Sequence, residues 1–406
     1  MTNDIAHTPT KMYLPAKVLL EEGVIDRVGL EASAMNLGWR ALLIYEDTRV
    51  FDAVSSLASS LNRVGMRYVC CRVSGNGRGV PTLSKVWEVV KLALDERCDF
   101  VIGLGSRATI NLAKAVAAVM GGSDLEDLGE KARIEGAAPL VVVPIIPSSG
   151  SEFSGSLELF DEDRGVMLHY LSHSLYPRLV LVDPLLAEYL EFERLTLSIP
   201  EILVNALEAY TSRECSRFVE LVVEEATRAL LRVRAQTLKL PVNSGVVREL
   251  CWAGLCAGVA VGLAGGGACS ALARTISAMY GVHYERAISA LLACWLYMVS
   301  PEVESRLEQL ARATGVVPPS SAELITRLLS LLRGLNLPIT LLDLGVVRVR
   351  ELDLVVEHAW TYGHYDMERG VKPLDKLAVK RALRLSAEGL LLDAGRSLGV
   401  WDANSE

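Results

Sequence analysis

The stretch that decides the fold is DFVIGLGSRATINLAK, residues 99–114. Its pattern predicts an apolar strand, a glycine turn and then a helix. Turns of this kind use small residues when they bind nucleotides, because backbone N–H groups and the helix N-terminus must approach phosphate closely. Here Gly105 is followed by Ser106 and Arg107. An arginine at this point either binds phosphate in a new way or blocks the pocket.

Outward from this stretch, the first half of the chain alternates short apolar strands with helical patterns. Strands are predicted at residues 41–47, 67–73, 100–105, 139–146 and 178–184. This rhythm is typical of a parallel sheet with helices on both faces. From residue 185 onward the pattern is helical. The sequence therefore predicts an N-terminal Rossmann-like α/β domain over residues 1–184, an all-helical domain over residues 185–406, and a cleft between them.

Composition and charge exclude several classes of protein. A chain of 406 residues is too long for one ordinary core, which favours two domains. The net charge of −8 argues against nucleic acid as a partner, since phosphate binding needs a basic face. The eight cysteines include no C-x-x-C pair, so reduced thiols and a cytoplasmic location are expected. Residues 254–273 are uncharged and long enough to cross a membrane, but their Gly and Ala content predicts a buried helix instead.

Six segments occur in a fixed order along the chain. They are MYLPAKVLLEEG (12–23), DFVIGLGSRATINLAKA (99–115), PLVVVPIIPSSGSEFS (139–154), RLVLVDP (178–184), IPEILVNALEAYTS (199–212) and LNLPITLLDLGV (335–346). In this order and spacing they resemble the iron-containing (group III) alcohol dehydrogenase family, which includes lactaldehyde reductases and glycerol dehydrogenases. The resemblance runs from about Tyr13 to the 380s. It implies a dehydroquinate synthase-like architecture, a homodimer, and NAD-dependent oxidation of alcohols.

The metal ligands of that family have been exchanged in this chain. In the family an aspartate and three histidines of the helical domain hold Fe²⁺ or Zn²⁺, which polarises the alcohol oxygen. The positions that match them here are Glu201, Asn205, Ser270 and Tyr284. Glu201 is a good metal ligand, whereas Asn, Ser and neutral Tyr are poor ligands for these ions. We therefore expect neither iron nor zinc.

The resemblance also assigns residues to the cofactor. In the glycine turn these are Gly105, Ser106, Arg107 and Asn111, and in the second turn Ser148, Ser149 and Gly150. Glu46 matches an acidic residue beside the adenosine ribose, where a carboxylate favours NAD over NADP. Ile145 and Ile146 replace two threonines of the family motif and offer no side-chain hydrogen bond. We therefore expect NAD binding to be weak.

Three interpretations of the function remain. The first is a family member that has lost or redirected its hydride-transfer chemistry, that is, a pseudoenzyme. The second is an NAD-dependent, metal-independent alcohol or aldehyde oxidoreductase, acting on a small molecule in the cleft, with Tyr284 as the acid and Arg274 as the neighbouring cation. The third is a sugar-phosphate enzyme of the related dehydroquinate synthase or glycerol-1-phosphate dehydrogenase type, which would need the same missing metal.

A further hypothesis concerns what replaced the metal. Arg274 lies four residues after Ser270, so both share one helix face. A buried carboxylate needs a partner, and the planar guanidinium can meet one with two hydrogen bonds. The sequence predicts that Arg274 enters the former metal pocket and pairs with Glu201, with Asn205 and Tyr284 hydrogen-bonded around the pair.

Overall fold

The computed structural model describes residues 10, 12–46, 51–74, 78–123, 134–187, 190, 192–233 and 243–402. Contacts divide the chain into two compact units. One is Tyr13–Glu191, and the other is built on Phe192–Glu406. The first is an α/β unit and the second is helical, as the sequence predicted.

The α/β unit is organised around a six-stranded parallel sheet with the order β1-β8-β5-β4-β2-β3. Its strands are β1 Lys17–Leu20, β2 Arg40–Glu46, β3 Arg67–Val73, β4 Phe100–Gly105, β5 Leu140–Pro144 and β8 Leu179–Val182. Two further strands, β6 Ser156–Asp161 and β7 Val166–Leu171, form an antiparallel hairpin. The helices are α1 Val28–Ala34, α2 Phe51–Arg63, α3 Leu83–Asp95, α4 Arg107–Met120 and α5 Pro184–Ala187.

Two apolar layers cover the two faces of this sheet. Successive strand residues point to opposite faces, so Leu42 and Ile44 of β2 join the core under α3 and α4. Ala41 and Leu43 of the same strand join the core under α1 and α2. Gly103 lets α4 lie directly on β4, because a Cβ atom there would come within 2.7 Å of the Ala113 side chain.

The helical unit contains ten helices among the residues that the structure describes. They are α6 Phe192–Tyr210, α7 Arg217–Arg232, α8 Ser244–Ala264, α9 Ala268–Tyr280, α10 Tyr284–Ala313, α11 Ser321–Gly334, α12 Leu341–Leu344, α13 Leu352–Met367, α14 Lys376–Ala387 and α15 Leu391–Ser397. Side-chain caps fix several starts, since Ser216, Ser320 and Asp375 each accept a hydrogen bond from the first turn of their helix. Helices α6, α9 and α10 pack against one another.

The expectation of one buried helix over residues 254–273 was wrong. The chain leaves α8 at Gly265, where φ is +78°, and begins α9 at Ala268. Glycine adopts this positive φ without strain, so the glycine triplet ends one helix and starts another. Helices α8 and α10 are both long and apolar enough to span a membrane. However, half of the most apolar 18-residue stretch of α8, and two thirds of that of α10, are buried inside the protein.

Candidate functional site

In the α/β unit, strand order changes direction between β2 and β4. Strand β3 lies on one side of β2 and β4 on the other. Sheets of this kind bind ligands beside the carboxyl ends of the two neighbouring strands at which the order reverses, here β2 and β4. Glu46 ends β2 and Gly105 ends β4, as the sequence predicted. The predicted cofactor residues of the glycine turn therefore lie at the position where this fold binds ligands.

Glu46 does not face solvent at this position. Its side chain is buried, and Oε1 accepts hydrogen bonds from the Ser106 backbone N–H at 2.8 Å, from Thr109 Oγ1 at 2.9 Å, and from the Ser106 hydroxyl. Ser106 is the N-cap of α4. A carboxylate of the protein itself thus occupies the N-terminus of the helix, where a phosphate would be stabilised.

Arg107 is turned into the protein. Its guanidinium is buried and forms an ion pair with the equally buried Glu158 of β6. Asn111, one helical turn on, uses Oδ1 to accept hydrogen bonds from the Glu158 backbone N–H at 3.0 Å and the Ser151 hydroxyl at 3.3 Å. Both residues therefore bind the β6 segment of the protein.

A buried lysine and glutamate lie next to these residues. Lys114 Nζ donates hydrogen bonds of 2.7 Å to the carbonyl oxygens of Ser154 and Ser156. Burial lowers the pKa of Lys114 to about 7, against a smaller opposing effect of the Glu152 carboxylate.

Glu152 lies in the second predicted cofactor turn. It accepts hydrogen bonds from the Ser148 N–H and the Ser149 hydroxyl, and burial raises its pKa. Gly150, between these residues, has φ +71°, a conformation that glycine adopts without strain.

In the helical unit, Ser270 is bound to a buried glutamate. The Glu208 carboxylate accepts hydrogen bonds from Gly267 N–H at 2.8 Å, Ser270 N–H at 3.1 Å and the Ser270 hydroxyl at 2.6 Å. These donors belong to the first turn of α9, so Glu208 caps that helix. Burial raises the pKa of Glu208 to about 7, although the hydrogen bonds oppose the shift.

Arg274 points into the protein and forms an ion pair with Asp366 of α13, with both side chains buried. The pair joins α9 to α13. Its predicted pairing with Glu201 remains a prediction. Glu201, Asn205 and Tyr284 are buried on α6 and α10, the helices that pack against α9. Among the described residues, no group of three His, Cys, Asp or Glu side chains is arranged to hold a metal ion.

The sequence prediction included Arg107 and Asn111 but not the residues that complete these contacts, Glu158, Lys114 and Asp366. Glu158 had a signal, because a glutamate between two leucines interrupts an apolar strand. Lys114 also had one, since it lies three residues after Asn111 and so shares its helix face. Asp366 had no local signal, because its partner Arg274 lies 92 residues away.

Two family profiles match the chain. The iron-containing alcohol dehydrogenase profile covers residues 15–184, and the profile of the C-terminal part of the Fe-containing alcohol dehydrogenase family covers residues 198–368. The probable alcohol dehydrogenase EutG of Salmonella typhimurium is 23% identical over 302 residues, which span 74% of this chain and 76% of EutG. The 1-propanol dehydrogenase PduQ of Citrobacter freundii is 25% identical over 59% of this chain and 63% of PduQ.

Solved structures agree on the fold. NADH-dependent butanol dehydrogenase A from Thermotoga maritima aligns with a TM-score of 0.79 and 24% identity, over 93% of this chain and 98% of the other. A 1,3-propanediol oxidoreductase aligns with a TM-score of 0.83 and 20% identity, over 93% and 99%. Together with the two profiles, which extend through both units, these likenesses confirm the resemblance read from the six segments. The chain belongs to the iron-containing alcohol dehydrogenase family.

Proposed function

We propose that this chain is a family member in which the metal-dependent hydride transfer has been lost or redirected. The observation that carries the proposal is the pair of contacts made by Ser270 and Arg274. Ser270 matches a histidine ligand of the family, but here its hydroxyl donates a hydrogen bond to Glu208. One turn further on, the guanidinium of Arg274 is fixed by Asp366.

The donor chemistry of the former metal site supports the proposal. Glu201 is the one strong ligand among the four matching positions, since Asn205 offers an amide, Ser270 a neutral hydroxyl, and Tyr284 a phenol. One turn from the third position stands Arg274, whose guanidinium cannot ligate a metal ion because it has no free lone pair to donate. These residues do not fit a tightly held Fe²⁺ or Zn²⁺.

The glycine turn supports the same conclusion for the cofactor. NAD binding requires the α4 N-terminus to receive an anionic diphosphate, yet the Glu46 carboxylate is bound to Ser106 at that point. The second interpretation, a metal-independent oxidoreductase with Tyr284 and Arg274, requires the arginine to stabilise developing negative charge. Its charge is already balanced by Asp366.

The test is the metal content and NAD-linked activity of the whole purified chain. We expect well under 0.1 metal ion per chain by elemental analysis after expression with added iron or zinc, and no NADH oxidation with short-chain aldehydes. The matched variants are Glu201→Gln and the exposed-site control Glu304→Gln. One metal per chain, lost in Glu201→Gln but kept in Glu304→Gln, would overturn the loss of the metal site. Metal-free NADH oxidation abolished by Tyr284→Phe would establish the second interpretation instead.

A further inference from the structure

The helical unit contains a pocket of about 180 Å³. Its lining includes none of the four positions that match metal ligands of the family. Trp295, Val299 and Val303 are spaced four residues apart on α10 and form one wall. Its other lining residues include Met298, Met367 and Glu208. An apolar cavity of about 150 Å³ is large enough to bind benzene. The pocket therefore has room for one aromatic ring with a small substituent.

The lining favours a flat aromatic molecule over an aliphatic one. Two methionines and a tryptophan form part of the lining, and thioether sulfur makes favourable contacts with the edges of aromatic rings. Tryptophan offers a large face for stacked or edge-on packing. Because the walls are mostly apolar, the free energy of binding would come chiefly from burial of the ring.

Glu208 supplies one directed polar interaction in this pocket. A carboxylate can accept about four hydrogen bonds, and Glu208 accepts three, from Gly267 and Ser270. One acceptor position is left for a ligand. The carboxyl group repels an anion, so the ligand must bring a hydrogen-bond donor without negative charge.

Apart from Glu208, the lining contains two cations, Arg369 and Lys372, and two carboxylates, Glu302 and Asp375. Lys372, on the segment between α13 and α14, forms a 2.6 Å ion pair with Glu302 of α10. Arg369 covers Gly265, donates to the Ala264 carbonyl oxygen, and stacks on the Tyr365 ring. Both cations already contact protein groups, and apart from Glu208 the lining has no net charge that would attract a charged ligand.

We propose that this pocket binds a neutral aromatic molecule of phenol or indole size, with its ring against Trp295 and its O–H or N–H donated to Glu208. The site lies in the helical unit and needs neither NAD nor metal. The proposal therefore stands or fails independently of the loss of hydride transfer.

The experiment uses 4-iodophenol on the whole chain at pH 8, where the pKa of about 7 leaves Glu208 mostly as the carboxylate. Iodine in contact with an indole ring quenches its fluorescence. We expect saturable quenching with a dissociation constant on the order of 0.1–1 mM, the range that ligand efficiency allows for eight heavy atoms. The methyl ether 4-iodoanisole lacks the donor. It should bind about tenfold more weakly, since a hydrogen bond to a charged group is lost.

Two variants locate the site. Val299→Phe fills the pocket and should abolish saturable quenching, whereas Leu398→Phe, at an exposed position, should leave it unchanged. Trp295→Phe should remove the quenching while calorimetry still detects binding. Full quenching in Trp295→Phe or in a folded Val299→Phe protein would place the ligand elsewhere and overturn the proposal, as would equal affinity for the ether.

Discussion

At the scale of single residues, Glu46 is a buried carboxylate that is hydrogen-bonded within the protein. Glu46 could be placed at the end of β2 from the sequence, because an apolar run ended there. Its partners could not, since they depend on how β2 and β4 align in the sheet. The structure binds Glu46 to Ser106 and Thr109 of the protein, while the resemblance assigned it to a ribose. The two roles predict opposite effects of one substitution.

Glu46→Ser separates these two roles. If the carboxylate occupies the phosphate position, its removal frees the Ser106 N–H and lifts the repulsion of a diphosphate. We expect the original chain to bind NAD with a dissociation constant above about 1 mM, and the substitution to lower this constant at least about tenfold. At an effective dielectric constant of about 20, two charges 4 Å apart interact by about 4 kcal/mol, so this is a conservative figure.

Calorimetric titration of the whole chain with NAD measures this effect. The control is Asp95→Asn, which removes an exposed negative charge at the end of α3 and should leave the affinity unchanged. A fall in affinity in Glu46→Ser would assign Glu46 to the ribose, as the family resemblance implies. An unchanged value would show that the carboxylate does not obstruct the turn.

At the scale of elements, α4 is attached to the β6 segment by a row of polar side chains. The sequence predicted that a helix would follow the glycine turn, and α4 does begin there, at Arg107. What could not be predicted was the direction of its polar face. Arg107, Asn111 and Lys114 share that face by spacing, but only the three-dimensional position of the hairpin brings Glu158 opposite to them.

The Arg107–Glu158 pair should behave as a buried ion pair. Arg107→Met leaves Glu158 buried without its partner, which typically costs about 3–5 kcal/mol of the free energy of unfolding. The double variant Arg107→Met/Glu158→Leu removes both charges and should recover most of this loss. Urea denaturation gives both values. Lys85→Met breaks an exposed pair with Glu88 and should cost less than about 1 kcal/mol. A similarly small cost for Arg107→Met would contradict the buried pairing.

At the scale of the whole molecule, the sequence was a good guide to architecture and a poor guide to the sites. Strand-like and helix-like patterns repeat over many residues, so errors at element ends do not change the fold. The strand predicted at residues 139–146 is shorter, Leu140–Pro144, without effect on the sheet. The pairings of Glu208 with Ser270 and Arg274 with Asp366 span 62 and 92 residues, and no periodic pattern marks them.

Two buried groups make the stability of the whole chain depend on pH in opposite directions. The pKa of Glu208 is raised from 4.5 to about 7, so between these values the native state holds a proton that the unfolded state releases. Its contribution to stability is therefore present near pH 5 and is lost as the pH rises to 7. The pKa of Lys114 is lowered from 10.5 to about 7, so above pH 7 the unfolded state binds the extra proton and stability rises with pH.

Denaturant unfolding at pH 5, 7 and 9 should therefore show the two effects separately in matched variants. In the original chain, Glu208 should lower the free energy of unfolding by up to about 3 kcal/mol between pH 5 and 7, because about two pH units at 1.36 kcal/mol each are involved. This decrease should be absent in Glu208→Gln. Lys114 should raise the free energy of unfolding by a comparable amount between pH 7 and 9, and this increase should be absent in Lys114→Met. Each variant serves as the control for the other, since each should keep the slope that its own substitution does not touch. Slopes identical to those of the original chain would mean that Glu208 and Lys114 titrate in the native protein as they do in the unfolded chain.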